Sequence, residues 1–285
     1  MLKDKEKKEK LGKYDPSNTL NDLTGKEWIK FTKSWVVCDG KPSDIPHEIQ
    51  DHPASFPPDL IEQFILFFTK KGETVLDPFV GIGSTLVACQ RTERNGIGIE
   101  IVPKYAKYAM KRLEQKTLLR KTAQRVIIGD AAEIDTFGLP PIDFVITSPP
   151  YWNILRTSRG GVKSVLKRRV EEGFDEMYSE YPQDLGNIDD YDVYLEKLGE
   201  IFTEIYALLR DDRYIVIIVQ NVRLPSGELI PLAWDLGKKL GQMYTLKQEK
   251  IWLQNQKFLG IWGYPHEYVS NVHHHYCLIL KKEER

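Results

Sequence analysis

Cysteine is scarce in this chain of 285 residues: there are three, Cys38, Cys89 and Cys277, and no two stand at CxxC spacing. That excludes a zinc site built from paired cysteines and points to a reducing compartment. Long apolar runs are missing as well. No stretch is apolar enough to span a membrane, and the Lys-rich beginning lacks the apolar core of a signal peptide. An excess of one charge is also missing, since 40 Lys and Arg meet 41 Asp and Glu for a net charge of -1. No global field therefore draws the chain to a polyanion, and any such attraction must come from local patches. These absences predict a soluble cytoplasmic protein, of a length that suits one α/β domain with elaborations.

What is present centres on TSPPYW, residues 147–152. It follows the apolar run 142–147, which predicts a short buried strand. Two prolines end the strand, because neither has an amide donor and both lock φ. Each also holds the residue before it extended. The corner aims the Ser148 hydroxyl and the Pro149 carbonyl outward at a strand's carboxyl end, the edge where open α/β sheets bind ligands. Two such acceptors can grip an exocyclic NH2, pull its nitrogen towards sp3 and free its lone pair. Tyr151 can stack on the ring that carries the amine. This is electrostatic preorganisation without a strong base. On these six residues alone, a plain strand-to-loop turn stays open.

A second constellation precedes it. Residues 73–77 predict a strand, 78–85 (PFVGIGST) a glycine turn, 86–92 a helix, and 96–100 a strand ending in an acid. That is the first half of a nucleotide-binding α/β fold. Gly81 and Gly83 match the start of GxGxxG, but Leu86 stands where the third glycine belongs, and no Lys follows as in a phosphate loop. A pyrophosphate-bearing dinucleotide is disfavoured. Glu100 stands where a strand-end acid accepts both ribose hydroxyls, so a nucleoside without phosphates fits, S-adenosylmethionine being the obvious one. Residues 125–130 predict a third strand, whose Asp130 can receive an adenine amino group.

The rest of the chain frames these two sites. Residues 1–15 predict a disordered arm, and 18–37 an irregular helical lead-in with Trp28, Phe31 and Trp35 packed on the core. A helix is expected from Pro58 or Asp59, burying Leu60, Ile61, Phe64, Ile65, Phe67 and Phe68. From 153 to 192 no periodicity holds. Arg156, Arg159, Lys163, Lys167, Arg168 and Arg169 are unrelieved by any acid up to Val170, and from Glu171 to Asp192 only acids follow. A segment this long beside a site reads as a functional lid. Its basic half, with Trp152 ahead of it, can grip phosphates once a base is extruded; a self-neutralising surface excursion is the alternative. Beyond it come an amphipathic helix (191–209), an apolar strand (214–219), a helix (231–240) and two closing antiparallel strands (250–253, 272–280). The loop 255–271, with Phe258, Trp262, Tyr264 and Tyr268, can wall a flipped-base pocket or simply pack. His273, His274 and His275 alternate faces in a strand and cannot converge, so no metal is expected.

Together these residues resemble the amino-directed DNA methyltransferases, which methylate cytosine N4 or adenine N6. HPASFP (52–57) is similar to the family's cofactor-loop motif, VLDPFVGIGST (75–85) to its DPF-x-G-x-G signature, and GIGIE (96–100) to its ribose-binding segment. TSPPYW resembles the catalytic motif, and HYCLILK (275–281) the closing strand. The resemblance implies a Rossmann-like, seven-stranded, mostly parallel doubly wound sheet over 51–285. An arm and lead-in (1–50) would precede it, and 153–190 would be a DNA-facing insertion. It implies S-adenosylmethionine held by His52, Ser55, Asp77, Phe79, Gly81, Gly83, Ser84, Thr85, Glu100 and Asp130, with catalysis by Ser148, Pro149, Pro150 and Tyr151. DNA contact would fall to Trp152, Arg156, Arg159, Lys163, Lys167, Arg168 and Arg169. The implied partners are double-stranded DNA and a cognate restriction endonuclease, at the nucleoid of a prokaryotic cytoplasm. Two departures stand out. In the family's subclass with this wording the catalytic motif usually comes first, so the order here implies a permuted arrangement around the same site. No separate target-recognition domain follows the closing strand, which leaves recognition to the insertion, the aromatic loop, the lead-in or another subunit. Ser before Pro-Pro-Tyr is associated with cytosine N4 and Asp with adenine N6, so cytosine is expected first. An RNA methyltransferase acting on an exocyclic amine in tRNA, and a non-catalytic DNA-binding subunit, stay open as alternatives.

Overall fold

The computed structural model describes residues 12–39, 56–114, 122–152, 181, 183–224, 226–256, 259–261 and 263–284. In chain order its elements begin with α1 (Gly25–Phe31), β1 (Trp35–Val37), α2 (Pro58–Phe68), β2 (Thr74–Asp77), α3 (Ser84–Arg91), β3 (Asn95–Glu100), α4 (Pro103–Glu114) and β4 (Gln124–Ile128). There follow a 3-10 turn (Ala131–Phe137), β5 (Ile142–Thr147), α5 (Tyr191–Leu208), β6 (Leu209–Val219), the small pair β7 (Val222–Arg223) and β8 (Leu229–Ile230), α6 (Leu232–Leu240), β9 (Thr245–Leu253) and β10 (His274–Lys281).

Apolar runs stopped by turn residues make the central strands, and helices cover both of their faces. Val75, Phe144, Ile146, Val216 and Ile218 point to α2 and the lead-in, while Leu76, Val145, Ile215 and Ile217 point to α5 and α6. Strand alternation thus divides one sheet between two cores. The order is β1-β9-β10-β6-β5-β2-β3-β4. The five strands from β6 to β4 are parallel, and β10 runs antiparallel to both of its neighbours. The chain leaves β2 for β3 and β4, then returns to β5 on the other side of β2. The topological switch therefore lies between β2 and β5, paired at Val75–Phe144 and Leu76–Val145. The crevice above their carboxyl ends is the expected place for a ligand.

The expected doubly wound, mostly parallel sheet is present, with eight strands instead of seven. The additional strand comes from the lead-in. Thr24 and Glu27 form a capping box that starts α1, and Trp28 and Phe31 pack on Phe67 at ring distances of 4.8 and 4.1 Å. The chain then straightens at Trp35, where an aromatic and two β-branched residues take the open edge of β9 in parallel. Trp35 is consequently half-exposed at that edge, not packed on the core. No described helix is long and apolar enough to cross a membrane.

Candidate active site

β2 carries Asp77 into the crevice, where its buried carboxylate is fully engaged. Oδ2 accepts the Thr85 hydroxyl (2.5 Å), and Oδ1 accepts the Thr147 hydroxyl (2.6 Å) and the Phe79 amide (3.1 Å). Burial pushes this carboxyl up to about 6, against the pull of those three bonds. Asp77 thereby ties the glycine turn to the last residue of β5, across the switch. Asp77→Ala should orphan two buried hydroxyls and the partly buried Phe79 amide, at about 1 kcal/mol or more each. We expect a loss of about 3 kcal/mol or more in urea unfolding, whereas Thr147→Val, which removes one bond, should lose about 1 kcal/mol. Equal losses from the two variants would contradict the strut.

Glu100, at the end of β3, shapes the turn from the other side. Its two oxygens accept the Gly81 amide and the Val102 amide, each at 2.9 Å. Gly81 has φ +52°, a left-handed conformation that glycine adopts freely and that turns its amide to the acid. Burial pushes the Glu100 carboxyl up to about 7, and repulsion from Asp184 and Asp77 adds to the shift. Each oxygen keeps a second lone pair, enough to take the two hydroxyls of a ribose.

One cavity joins the two constellations. Phe79, Gly81, Ser84, Thr85, Glu100 and Asp130 line it together with Ser148, Pro149, Pro150 and Tyr151. Asp130 also accepts the Ala132 amide (2.9 Å) and so caps the 3-10 turn. Gly83 is the exception. It has φ +84°, and a Cβ there would lie 2.8 Å from the Ala109 Cβ, so it serves the close approach of the turn to α4 and does not line the cavity. His52 and Ser55 lie outside the described residues, as do Arg156, Arg159, Lys163, Lys167, Arg168 and Arg169.

At the Pro-Pro corner, the Tyr194 hydroxyl donates to the Pro150 carbonyl (2.8 Å), which anchors the bend to α5. The Ser148 hydroxyl donates weakly to the Tyr151 hydroxyl (3.5 Å), leaving its lone pairs for an incoming N–H. Tyr151 is buried, its ring 6.2 Å from His275, which in turn stacks on Trp252 at 4.5 Å. Trp152 does not line the cavity. Its indole donates to the Asp189 carbonyl (3.2 Å) and its ring meets Tyr191, the first residue of α5, edge-on (5.1 Å).

Sequence reading missed the wall formed by Gln183, Asp184 and Leu185. Asp184 is buried and N-caps a short 3-10 turn by accepting the Gly186 amide (2.9 Å). The signal for it was only one acid among many. With it, the described lining holds four acids, Asp77, Glu100, Asp130 and Asp184, and no Lys, Arg or His. Such a cavity repels phosphates and suits a nucleoside that carries positive charge.

Residues 2–111 match the model of the N6_N4_Mtase family, described as DNA methylase. Over 106 residues the chain is 38% identical to the Type II methyltransferase M.BglI of Bacillus subtilis, covering 35% of this chain and 29% of that one. Over another 106-residue alignment it is 41% identical to M2.DpnII of Streptococcus pneumoniae, covering 35% of each. Over 63 residues it is 48% identical to M.Cfr9I of Citrobacter freundii, covering 22% of this chain and 21% of that one. The matches thus span from about a fifth to about a third of these relatives' length. Among solved structures, TrmN from Thermus thermophilus superposes with a TM-score of 0.50 at 15% identity, over 81% of this chain and 50% of that one. That likeness bears on the fold alone.

Proposed function

We propose that this chain, a relative of the amino-directed DNA methyltransferases, moves a methyl group from S-adenosylmethionine to the exocyclic amine of a base swung out of duplex DNA. Cytosine N4 is favoured over adenine N6, because Ser148 and not Asp precedes Pro-Pro-Tyr. The observation that carries the reading is that Glu100 and Ser148 border one cavity at the switch between β2 and β5.

S-adenosylmethionine, when bound, supplies a methyl carbon made electrophilic by a sulfonium. The residues present fit such a donor. Glu100 takes the ribose hydroxyls, Asp130 the adenine amine, and the acid-rich described lining suits cationic sulfur and ammonium. Ser148 Oγ and the Pro149 carbonyl then accept the two hydrogens of the target amine, and the lone pair withdraws from the ring to the nitrogen. Tyr151 holds the ring's orientation. As the nitrogen gains the methyl carbon, that carbon's bond to sulfur would break with the electron pair left on a neutral thioether, and the alkylated arylammonium is acidic enough to pass its proton to water without a strong base. Phe56, Ile61 and Leu185 line the same cavity and keep water from the reacting atoms.

The test is to incubate the protein and labelled S-adenosylmethionine with duplex DNA or with tRNA, and to digest the product to nucleosides. N4-methylcytosine from DNA is expected; label in tRNA alone, or in neither, would overturn the reading. The basic half of the 153–190 segment is proposed to grip phosphates. Reversing Lys167, Arg168 and Arg169 to Glu should reduce the slope of log K against log salt by about 2 to 3. An unchanged slope would remove these residues from the interface. A cognate endonuclease remains part of the proposed setting.

A further inference from the structure

The four most exposed large apolar side chains among the described residues lie together in the loop between β9 and β10. Leu259 is 78% exposed, Ile261 86%, Tyr264 80% and Tyr268 91%. So much apolar surface in so short a stretch marks an interaction site. The loop is braced as well as exposed. The Asn271 side chain accepts from the Gly260 amide (2.8 Å) and donates to the Gly260 carbonyl (3.0 Å). The amides of His266 and Glu267 both donate to the Gly263 carbonyl at 2.8 Å, and Arg223 reaches Ser270 Oγ at 3.5 Å.

Topology puts this loop beside the cavity. β10 runs antiparallel to β6, so its first residues meet the last of β6, with Tyr276 opposite Val219. Gln220 fastens the junction by donating to the His274 carbonyl (2.9 Å). β6 is parallel to β5, with Ile217 opposite Thr147, and Ile218 lines the cavity. The loop therefore rises from the rim that carries Ser148, and its root residue His275 lies against Tyr151. Glu267 is the loop's only carboxylate among the described residues 259–271, His266 its only imidazole, and there is no Lys or Arg among them. Its chemistry suits the faces of bases, not phosphates.

A base cannot reach the Ser148 corner while stacked and paired, so its pair must open and the vacated space must be filled. We propose that Leu259, Ile261 and Tyr268 enter the duplex next to the cavity and hold open the gap left by the extruded base, as apolar wedges do in other DNA complexes. The proposal rests on the DNA reading above and adds the element that performs the opening.

The methylated position is first located by sequencing DNA that the wild-type protein has modified, and a duplex carrying it is made in two forms. In one the target base is paired; in the other it faces an abasic site. Single-turnover methyl transfer is then compared for the wild type and for an Ile261→Ser/Tyr268→Ser variant whose melting temperature is checked. The variant should lose roughly tenfold or more on the paired duplex and return to within about threefold of the wild type on the abasic one. Equal losses on both duplexes, or no loss on either, would overturn the proposal. Failure of the wild type to modify any DNA would instead sink the functional reading beneath it, and modification of an RNA hairpin alone would do the same.

Discussion

Glu100→Gln is expected to weaken S-adenosylmethionine binding about 100-fold and to abolish its dependence on pH. A hydroxyl bond to an ionised carboxylate contributes about 1.5–3 kcal/mol. Losing two charged acceptors at the ribose, partly replaced by the neutral amide, therefore leaves a deficit near 3 kcal/mol, about two orders of magnitude in Kd. The carboxyl is pushed up to about 7 in the free protein by burial. The donor prefers the ionised form, so binding should release a proton. Wild-type affinity should rise as pH goes from 6 to 8 and level off above about 7.5, while the Gln variant stays flat. Calorimetry in two buffers of different ionisation enthalpy reads both the slope and the proton. The same shift has a stability consequence of opposite sense. A carboxyl whose folded value lies above its unfolded value of 4.5 contributes stability that is present below that value and is lost as pH rises through about 7. Asp77, pushed up to about 6, works in the same direction. The free protein should thus melt progressively lower between about pH 4 and 7, and added donor should recover more of that loss at the upper end. A pH-independent Kd for the wild type would show that Glu100 is not the ribose acceptor.

The elements that carry the site were legible because their signals are local. The strand at residues 142–147 ends where two prolines forbid its continuation, and β5 spans Ile142–Thr147. The glycine turn and α3 follow from a φ-permissive pair and the good helix formers behind it. What depends on distant partners was not legible. Trp35, Val36 and Val37 make a strand only because β9, more than two hundred residues away, leaves an edge open. The close approach of Gly83 to Ala109 on α4, where a Cβ would lie 2.8 Å away, is likewise a property of the fold. Asp184 could not be told from its acidic neighbours, since burial beside Glu100 is a property of the fold. Trp152 sits next to the motif, yet Tyr191 and the Asp189 carbonyl draw it away from the cavity. The order of the two motifs in the chain, by contrast, does not bear on the site. β2 and β5 pair side by side whichever of them is made first, and the geometry at their ends is indifferent to chain order.

Ser148→Ala should lower the single-turnover methyl-transfer rate about 100-fold or more while leaving the Kd of S-adenosylmethionine within about twofold. Removing one preorganised acceptor at a centre of developing charge typically costs a factor of 10² to 10³. In the proposed reading Glu100 takes the donor's ribose and Asp130 its adenine, so the Ser148 hydroxyl is not needed for that binding. Tyr151 requires a different comparison. Its ring is buried against His275 and within the core that contains Leu185, so Tyr151→Ala would open a cavity and cost stability as well as rate. Tyr151→Phe keeps the ring and removes only a hydroxyl whose bond to Ser148 is long, 3.5 Å. If Tyr151 acts by stacking, the Phe variant should retain a rate within about threefold of the wild type. If its hydroxyl instead orients the Ser148 lone pairs, the Phe variant should approach the loss seen with Ser148→Ala, and the double variant should lose little more than either single one. Full activity in Ser148→Ala, with the correct nucleoside still formed, would move amine activation away from the Pro-Pro corner altogether. The Pro149 carbonyl would then be left as one acceptor, too few to hold both hydrogens of the amine.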